Sequence, residues 1–270
     1  RSLESGLPLS SFDVVGFSLQ HEMDYLRMLD MLSTSNIPLK SEERSRPLVI
    51  AGGPAASSNP MPLSPFVDIF VIGEVEPILT PLLDLLLYED AKTSVPSIPG
   101  LYRPKHPTKR VYVEDLNNAY HAIRQVHPKA GEGLSTSFLL EVSRGCSKGC
   151  RFCLECFLYS PRRERSFSTI KQVLEYGIRL SRVTKVSCIS SAFFEHSELK
   201  DILSHLMESG ISFSTPSIRI SDADEELMQL IASGGQHSIT IAPETPSERL
   251  RQIINKKFHN DQMYNLLMNA

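Results

Sequence analysis

Four of the chain's five cysteines fall in one short stretch, from Cys146 to Cys156. A disulfide framework would scatter its cysteines along the chain. Clustered thiols in a sequence with no visible export signal point instead to a metal or iron–sulfur site in a reducing cytoplasm. Cys146, Cys150 and Cys153 are spaced C-x3-C-x2-C, with Gly145 and Gly149 permitting a tight loop. Three thiolates on one loop can hold three irons of a [4Fe–4S] cluster and leave the fourth open to another ligand. An open coordination position is the mark of a catalytic site, and a closed one of a structural or electron-transfer site.

What surrounds the loop limits the fold. The 270 residues, 41% hydrophobic and 22% charged, describe a globular chain long enough for one large domain or two smaller ones. A net charge of −3 does not indicate a nucleic-acid partner. The longest apolar run, Ile78 to Tyr88, is interrupted by Pro81 and Asp84 and is too short to span a membrane. Arg1 is not an initiator Met and Asp261–Ala270 reads as a helix without a cap, so the chain is expected to be part of a longer protein.

Residues 1–91 read as strands Phe12–Leu19, Pro47–Ala51 and Val67–Ile72, with helices Glu22–Leu32 and Glu76–Tyr88 between or after them. Continuous apolar strands alternating with helices imply an α/β, doubly wound Rossmann-like domain. Gly52, Gly53 and Gly73, at the carboxyl ends of strands, would let a ligand approach the backbone there. Residues 92–133 are a proline-punctuated connector in which only Arg110–Val113 looks like a strand, with the domain boundary expected near Gly131-Glu132-Gly133. Residues 134–270 read as four strand–helix units. The strands are Ser137–Val142, Lys185–Ser190, Ser212–Ile218 and Ser238–Ala242; the helices are Thr169–Leu180, Ser197–Glu208, Asp222–Ala232 and Pro246–Ile254. Thr245 is the expected N-cap of the last helix, with Glu248 completing a capping box, and Gly210 and Gly234 sit where helices end. Repeated units of this kind imply part of a barrel, whose active site lies at the carboxyl ends of the strands.

The run CSKGCRFC (146–153), with Phe152 just before the third cysteine, resembles the signature of the radical S-adenosylmethionine (SAM) superfamily across residues 137–258. The resemblance implies a partial (β/α)6, TIM-like barrel in which Cys146, Cys150 and Cys153 hold a [4Fe–4S] cluster. The fourth iron would bind the amino and carboxylate groups of SAM, and the reduced cluster would cleave SAM to start radical chemistry. FDVVGFSLQHEMDY (12–25), VIAGGP (49–54) and VDIFVIGEVEP (67–77) resemble the cobalamin-binding domain that precedes this barrel in one large branch. The segments RERS (163–166) and TIAPETPSERLRQIINK (240–256) resemble one poorly characterised group within it. Cobalamin would then lie over the strand ends that carry Gly52, Gly53 and Gly73. The D-x-H-x-x-G motif that supplies cobalt's lower ligand in many such domains is absent, and His21 lies in no such context.

By the same resemblance, Phe152 would contact the SAM adenine and Ser191 its amino group; Ser217 and Arg219 end the third strand, Arg219 facing the carboxylate; Glu244 would hold the ribose hydroxyls. Each residue type also has a plainer reading: packing for Phe152, a surface ion pair for Arg219, a helix cap for Glu244. Cys156 reads as a non-ligand and Cys188 as a small buried hydrophobe. Arg151, Arg162, Arg163 and Arg165 either steer an anionic substrate, SAM or electron donor, or form a solvated charged loop. The resemblance implies a reductant such as flavodoxin or ferredoxin and possible methyl or sulfur transfer; it names no substrate and no further catalytic residue. The non-enzymatic alternative is an iron–sulfur or zinc module for electron transfer or nucleic-acid binding, which would use Cys156 as a fourth ligand.

Overall fold

A computed structural model describes residues 1–88, 91, 98–126, 136–181 and 183–269. It divides into two compact units, Arg1–Val113 and Glu114–Ala270. The described part of the proline-rich stretch is shared between them, and Gly131-Glu132-Gly133 lie outside the described residues.

In the first unit β1 (Val14–Ser18), β2 (Leu48–Gly52) and β3 (Ile69–Val71) pair in parallel and in sequence order, and β4 (Leu101–Tyr102) adds an antiparallel edge to β3. Strand side chains alternate between the two faces. Val49, Ala51 and Phe70 pack on one face under α1 (Asp24–Thr34) and α2 (Pro54–Ser58), while Leu48, Ile50, Ile69 and Val71 pack on the other against α3 (Leu79–Tyr88). This is the doubly wound α/β architecture expected. Arg110–Val113 contributes less than a strand: a single parallel bridge joins Gly73 to Val111. Beside the start of β3 lies a buried ion pair. Arg44 Nη2 meets Asp68 Oδ2 at 2.8 Å, and the same oxygen accepts the Val49 amide at 2.8 Å.

The second unit begins with β5 (Phe138–Glu141), continues through the short hairpin strands β6 (Ser143–Arg144) and β7 (Arg163–Glu164) around α4 (Glu155–Leu158), and then alternates α5 (Phe167–Ser181), β8 (Lys185–Ile189), α6 (Leu199–Glu208), β9 (Ser212–Ser214) and α7 (Glu225–Ser233). The helices α8 (Glu248–Ile253) and α9 (Asn260–Asn269) follow. β5, β8 and β9 form a parallel sheet in that order. The fourth expected strand is reduced to one parallel bridge, Ile218 to Ile241. The third, expected to reach Ile218, stops at Ser214: the Thr215 amide bonds the Gln236 side chain at 2.7 Å, and Pro216 has no amide to offer the ladder. Buried residues of the strands and of α5, α6 and α7 form one core, so this unit is an open, partial barrel.

One expected cap also moves. Ser247, not Thr245, caps α8 by accepting the Leu250 amide, and Glu248 accepts the Asn260 amide at 2.6 Å instead of closing a capping box. Gly234 ends α7 as expected, and the left-handed conformation falls on Gly235 just after it. The outer edge of β5 is closed by side chains. Gln125 donates to and accepts from the Leu139 backbone, each at 2.8 Å, and His121 Nε2 accepts the Glu141 amide at 3.0 Å. Such cover is one way proteins blunt an edge strand.

Gly177 shows how tightly this core is set. It is buried on α5, and a methyl group there would overlap the Phe138 ring. Alanine normally stabilises a helix interior by about 1 kcal/mol relative to glycine. Here Gly177→Ala is expected to reverse that sign and lower stability by about 1–3 kcal/mol through overpacking, read as a lower urea midpoint at unchanged slope.

Candidate functional site

β5 delivers the chain to the carboxyl edge of the partial barrel, and the β6–β7 hairpin closes the base of the loop that follows, pairing Ser143 with Glu164 and Arg144 with Arg163. Gly145, at φ +84°, turns the chain into this loop, and a side chain there would overlap the Tyr159 carbonyl. The arginines expected to make the loop's surroundings basic are instead engaged within the protein. Arg165 is buried and donates to the carbonyls of Leu116 at 2.7 Å and Ala119 at 2.9 Å, and to Glu141 Oε2 at 2.9 Å. Burial pushes the Glu141 carboxyl up, but hydrogen bonds from Arg144 and Arg165 outweigh it and hold the group below the usual carboxylate range. Arg163 is buried against the Pro161 carbonyl, Arg162 pairs with Glu164 and Glu195, and Arg151 donates to the Ile253 carbonyl at 2.5 Å.

The cysteine loop is held from three directions. Ser147 donates to Glu195 Oε2 at 2.6 Å, and Lys148 bridges Glu195 at 3.2 Å and Asp222 at 2.9 Å. Burial lowers the Lys148 ammonium's proton affinity, but these two carboxylates reverse the effect and keep it above its ordinary value. Glu195 follows β8 and Asp222 follows β9. The third hold comes after α8: Asn255, left-handed at φ 59°, donates through Nδ2 to the carbonyls of Lys148 at 3.1 Å and Gly149 at 2.9 Å, while the Ile254 carbonyl accepts the Arg151 amide at 2.9 Å.

The loop borders a cavity of about 310 Å³, lined by Cys146, Cys150 and Cys153 together with Phe152, Ser191, Ser217, Arg219 and Glu244. Every cluster and SAM candidate named from the sequence is therefore gathered at one place. The three thiols are free, and burial is the main influence raising the proton affinity of Cys146 and Cys153. Among the described residues no three His, Cys, Asp or Glu side chains are set to grip a single metal ion. The donor set itself, three free thiols on one loop opening into a cavity, suits a cluster with one iron left open. Cys156 stays off the cavity wall and directs its Sγ to the Cys153 carbonyl at 3.5 Å. Cys188 is buried in β8, which pushes its thiol up to about 12, far from the reactive range.

The remaining candidates have defined partners. Arg219 Nη1 donates to Cys150 Sγ at 3.3 Å and its Nε to Ser221 Oγ at 3.2 Å. Ser191 donates to Glu155. Glu244 is neither a cap nor in ordinary backbone: it stands at φ 64° and its Oε1 accepts Lys256 Nζ at 2.6 Å. A non-glycine residue in that region carries a conformational cost that the surroundings must hold in place. Arg251, with no solvent exposure, does so by donating to the Thr245 carbonyl at 2.8 Å and stacking 4.2 Å over Phe258. Lys148, Glu195, Asp222, Asn255 and Lys256 escaped the sequence reading. Only Asn255 carried a local signal, since Asn directly after a helix is the usual non-glycine choice for a left-handed residue.

In the first unit Gly52 and Gly53 lie at the end of β2 and Gly73 just beyond β3. Gly53 at φ +92° and Gly73 at φ +104° are required by the chain itself. A Cβ on Gly53 would come 2.6 Å from the Leu19 carbonyl, and one on Gly73 would overlap that of Val111.

An open parallel barrel whose first loop carries three thiols to a cavity at its carboxyl edge, preceded in the chain by a doubly wound unit, defines a class of cofactor-dependent α/β proteins. Comparison with known proteins gives that class a name. A family model for the N-terminal part of radical SAM proteins matches residues 1–113, and the radical SAM superfamily model matches residues 140–270. The chain belongs to the radical SAM superfamily. It is 30% identical over 269 residues to an uncharacterized protein of Methanocaldococcus jannaschii, covering 98% of this chain and 57% of the relative. It is 27% identical over 139 residues, 48% of this chain and 25% of the relative, to cytidylyl-2-hydroxyethylphosphonate methyltransferase of Streptomyces wedmorensis. Among solved structures, the radical SAM methyltransferase TsrM of Kitasatospora setae, with cobalamin and a [4Fe–4S] cluster bound, superposes with a TM-score of 0.70 at 14% identity, over 95% of this chain and 54% of that one. The cobalamin-dependent SAM radical enzyme OxsB, with aqua-cobalamin and SAM bound, gives 0.63 at 16% identity over 93% and 38%. The chain thus spans about half the length of these relatives or less.

Proposed function

We propose that this chain forms the cluster- and SAM-binding part of a radical SAM enzyme that uses cobalamin for methyl transfer, on a substrate the sequence does not name. The carrying observation is the convergence of Cys146, Cys150 and Cys153 with Phe152, Ser191, Ser217, Arg219 and Glu244 on one cavity. When bound there, a reduced [4Fe–4S] cluster supplies the electron that breaks a carbon–sulfur bond of the SAM sulfonium. The protein's part is to hold and orient. The three thiolates would bind iron, and Phe152, half-exposed at the cavity, offers a face to adenine. Ser191 and Ser217 offer hydroxyls and Arg219 a cation to the amino acid end, while Glu244, fixed by Lys256, offers acceptors to the ribose hydroxyls.

On this reading the first unit, Arg1–Val113, carries cobalamin, with Gly52, Gly53 and Gly73 at the carboxyl ends of its strands, and the second unit, Glu114–Ala270, carries the barrel. Support for cobalamin comes from the likeness to TsrM and OxsB. The reading further places the protein in a reducing cytoplasm with a flavodoxin- or ferredoxin-type donor; among the described residues no helix is long and apolar enough to cross a membrane.

Anaerobic reconstitution tests it: about four iron and four sulfide per chain and production of 5′-deoxyadenosine from SAM under strong reductant are expected. A filled cluster that neither cleaves SAM nor changes its EPR signal when SAM is added would overturn it, and would favour an electron-transfer module.

A further inference from the structure

The loop's second cysteine is met by a charged donor whose position is fixed by the turn after β9. Arg219 Nη1 lies 3.3 Å from Cys150 Sγ, and its Nε is held by Ser221 Oγ at 3.2 Å. Ser221 in turn donates to Asp222 Oδ1 at 2.8 Å, the same oxygen that accepts Lys148 at 2.9 Å. One turn, Ile220–Asp222, thus grips the cysteine loop at Lys148 and aims a guanidinium at the sulfur two residues on. A guanidinium is charged at every accessible pH, and a hydrogen bond involving an ion is about twice as strong as a neutral one.

Resting on the cluster reading above, we propose that Arg219 is a positioning and tuning residue that sets the reduction potential of the cluster through the Cys150 sulfur. Electron density on an iron-bound thiolate rises when the cluster takes an electron. A fixed cationic donor on that sulfur stabilises the reduced state more than the oxidised one and makes the midpoint potential less negative, since hydrogen bonds to the sulfurs and nearby charge are among the determinants of iron–sulfur potentials. This role differs from a carboxylate clamp for SAM, because it operates before any SAM is present.

The test is an EPR-monitored redox titration of the reconstituted protein without SAM. Arg219→Gln is expected to move the midpoint to more negative potential at unchanged iron and sulfide content. Arg219→Lys, which keeps the charge and loses the fork, should recover part of the shift. Ser221→Ala, which frees the guanidinium without removing it, should move the midpoint a smaller distance in the same direction. Should Arg219→Gln lose iron, the other two variants carry the measurement. A full cluster with the wild-type midpoint in all three overturns the proposal, and weakened SAM binding with that unmoved midpoint would make Arg219 a SAM ligand alone. A wild-type protein that takes up no cluster fails one step earlier, at the functional reading itself.

Discussion

Cys150→Ala is expected to bring reductive SAM cleavage down to the level of buffer and reductant alone, whereas Cys156→Ala retains wild-type iron content and cleavage. The two thiols are six residues apart and chemically identical, so the contrast isolates position. Cys150 borders the cavity and accepts the Arg219 guanidinium; Cys156 stands on α4 with its thiol directed to a backbone carbonyl. If Cys146, Cys150 and Cys153 hold the cluster as proposed, removing Cys150 leaves it two thiolates, while removing Cys156 forfeits one weak hydrogen bond. Iron and sulfide analysis beside 5′-deoxyadenosine assay reads both. Equal loss in the two variants would mean a closed, four-thiolate site and would favour the non-enzymatic module.

Arg44→Met should cost the first unit about 3–5 kcal/mol, because it strands a buried carboxylate rather than because the pair itself is strongly stabilising. Arg44 and Asp68 have side-chain exposures of 0% and 1%. Burial pushes the Asp68 carboxyl up, yet the hydrogen bonds from Arg44, Ser41 and the Val49 amide together hold it below its ordinary value of 3.8. A carboxylate depressed in the folded state contributes stability that is present above the unfolded value and is lost as pH falls through the folded one. The wild-type contribution should therefore be complete at pH 7 and decline only as pH drops below about 4. In Arg44→Met the protein should sacrifice stability already at pH 7, with part of it returning in Arg44→Met/Asp68→Leu, which removes the charge along with its partner. Urea titrations at the two pH values decide the matter; a loss at pH 7 under about 1 kcal/mol would refute the argument.

The cysteine loop, the strands on either side of it and the alternation of units were legible because they rest on short-range rules: thiol spacing, apolar runs, glycines at turns. The same rules overreached where a side chain took a backbone partner. The strand expected to Ile218 stops at Ser214 because Gln236 captures the Thr215 amide, twenty-one residues away in sequence. The arginines after the loop show the opposite failing. RRER reads as a charged surface patch, yet Arg165 is among the most buried side chains because carbonyls of Leu116 and Ala119 are waiting for it. Nothing local announces an acceptor nearly fifty residues upstream. Lys148 and Glu195 were invisible for the same reason: their value lies in the pairing.

The three-way hold on the cysteine loop has a consequence for what keeps the loop in shape. In small zinc domains the metal organises a chain that is otherwise unfolded, and binding and folding are one event. Here Ser147, Lys148, Gly149 and Arg151 are already tied to Glu195, Asp222, Ile254 and Asn255 by the polypeptide's own bonds. The loop's shape therefore draws on bonds that do not pass through its thiols, and a substitution at Lys148 or Asn255 should loosen it with all three cysteines in place.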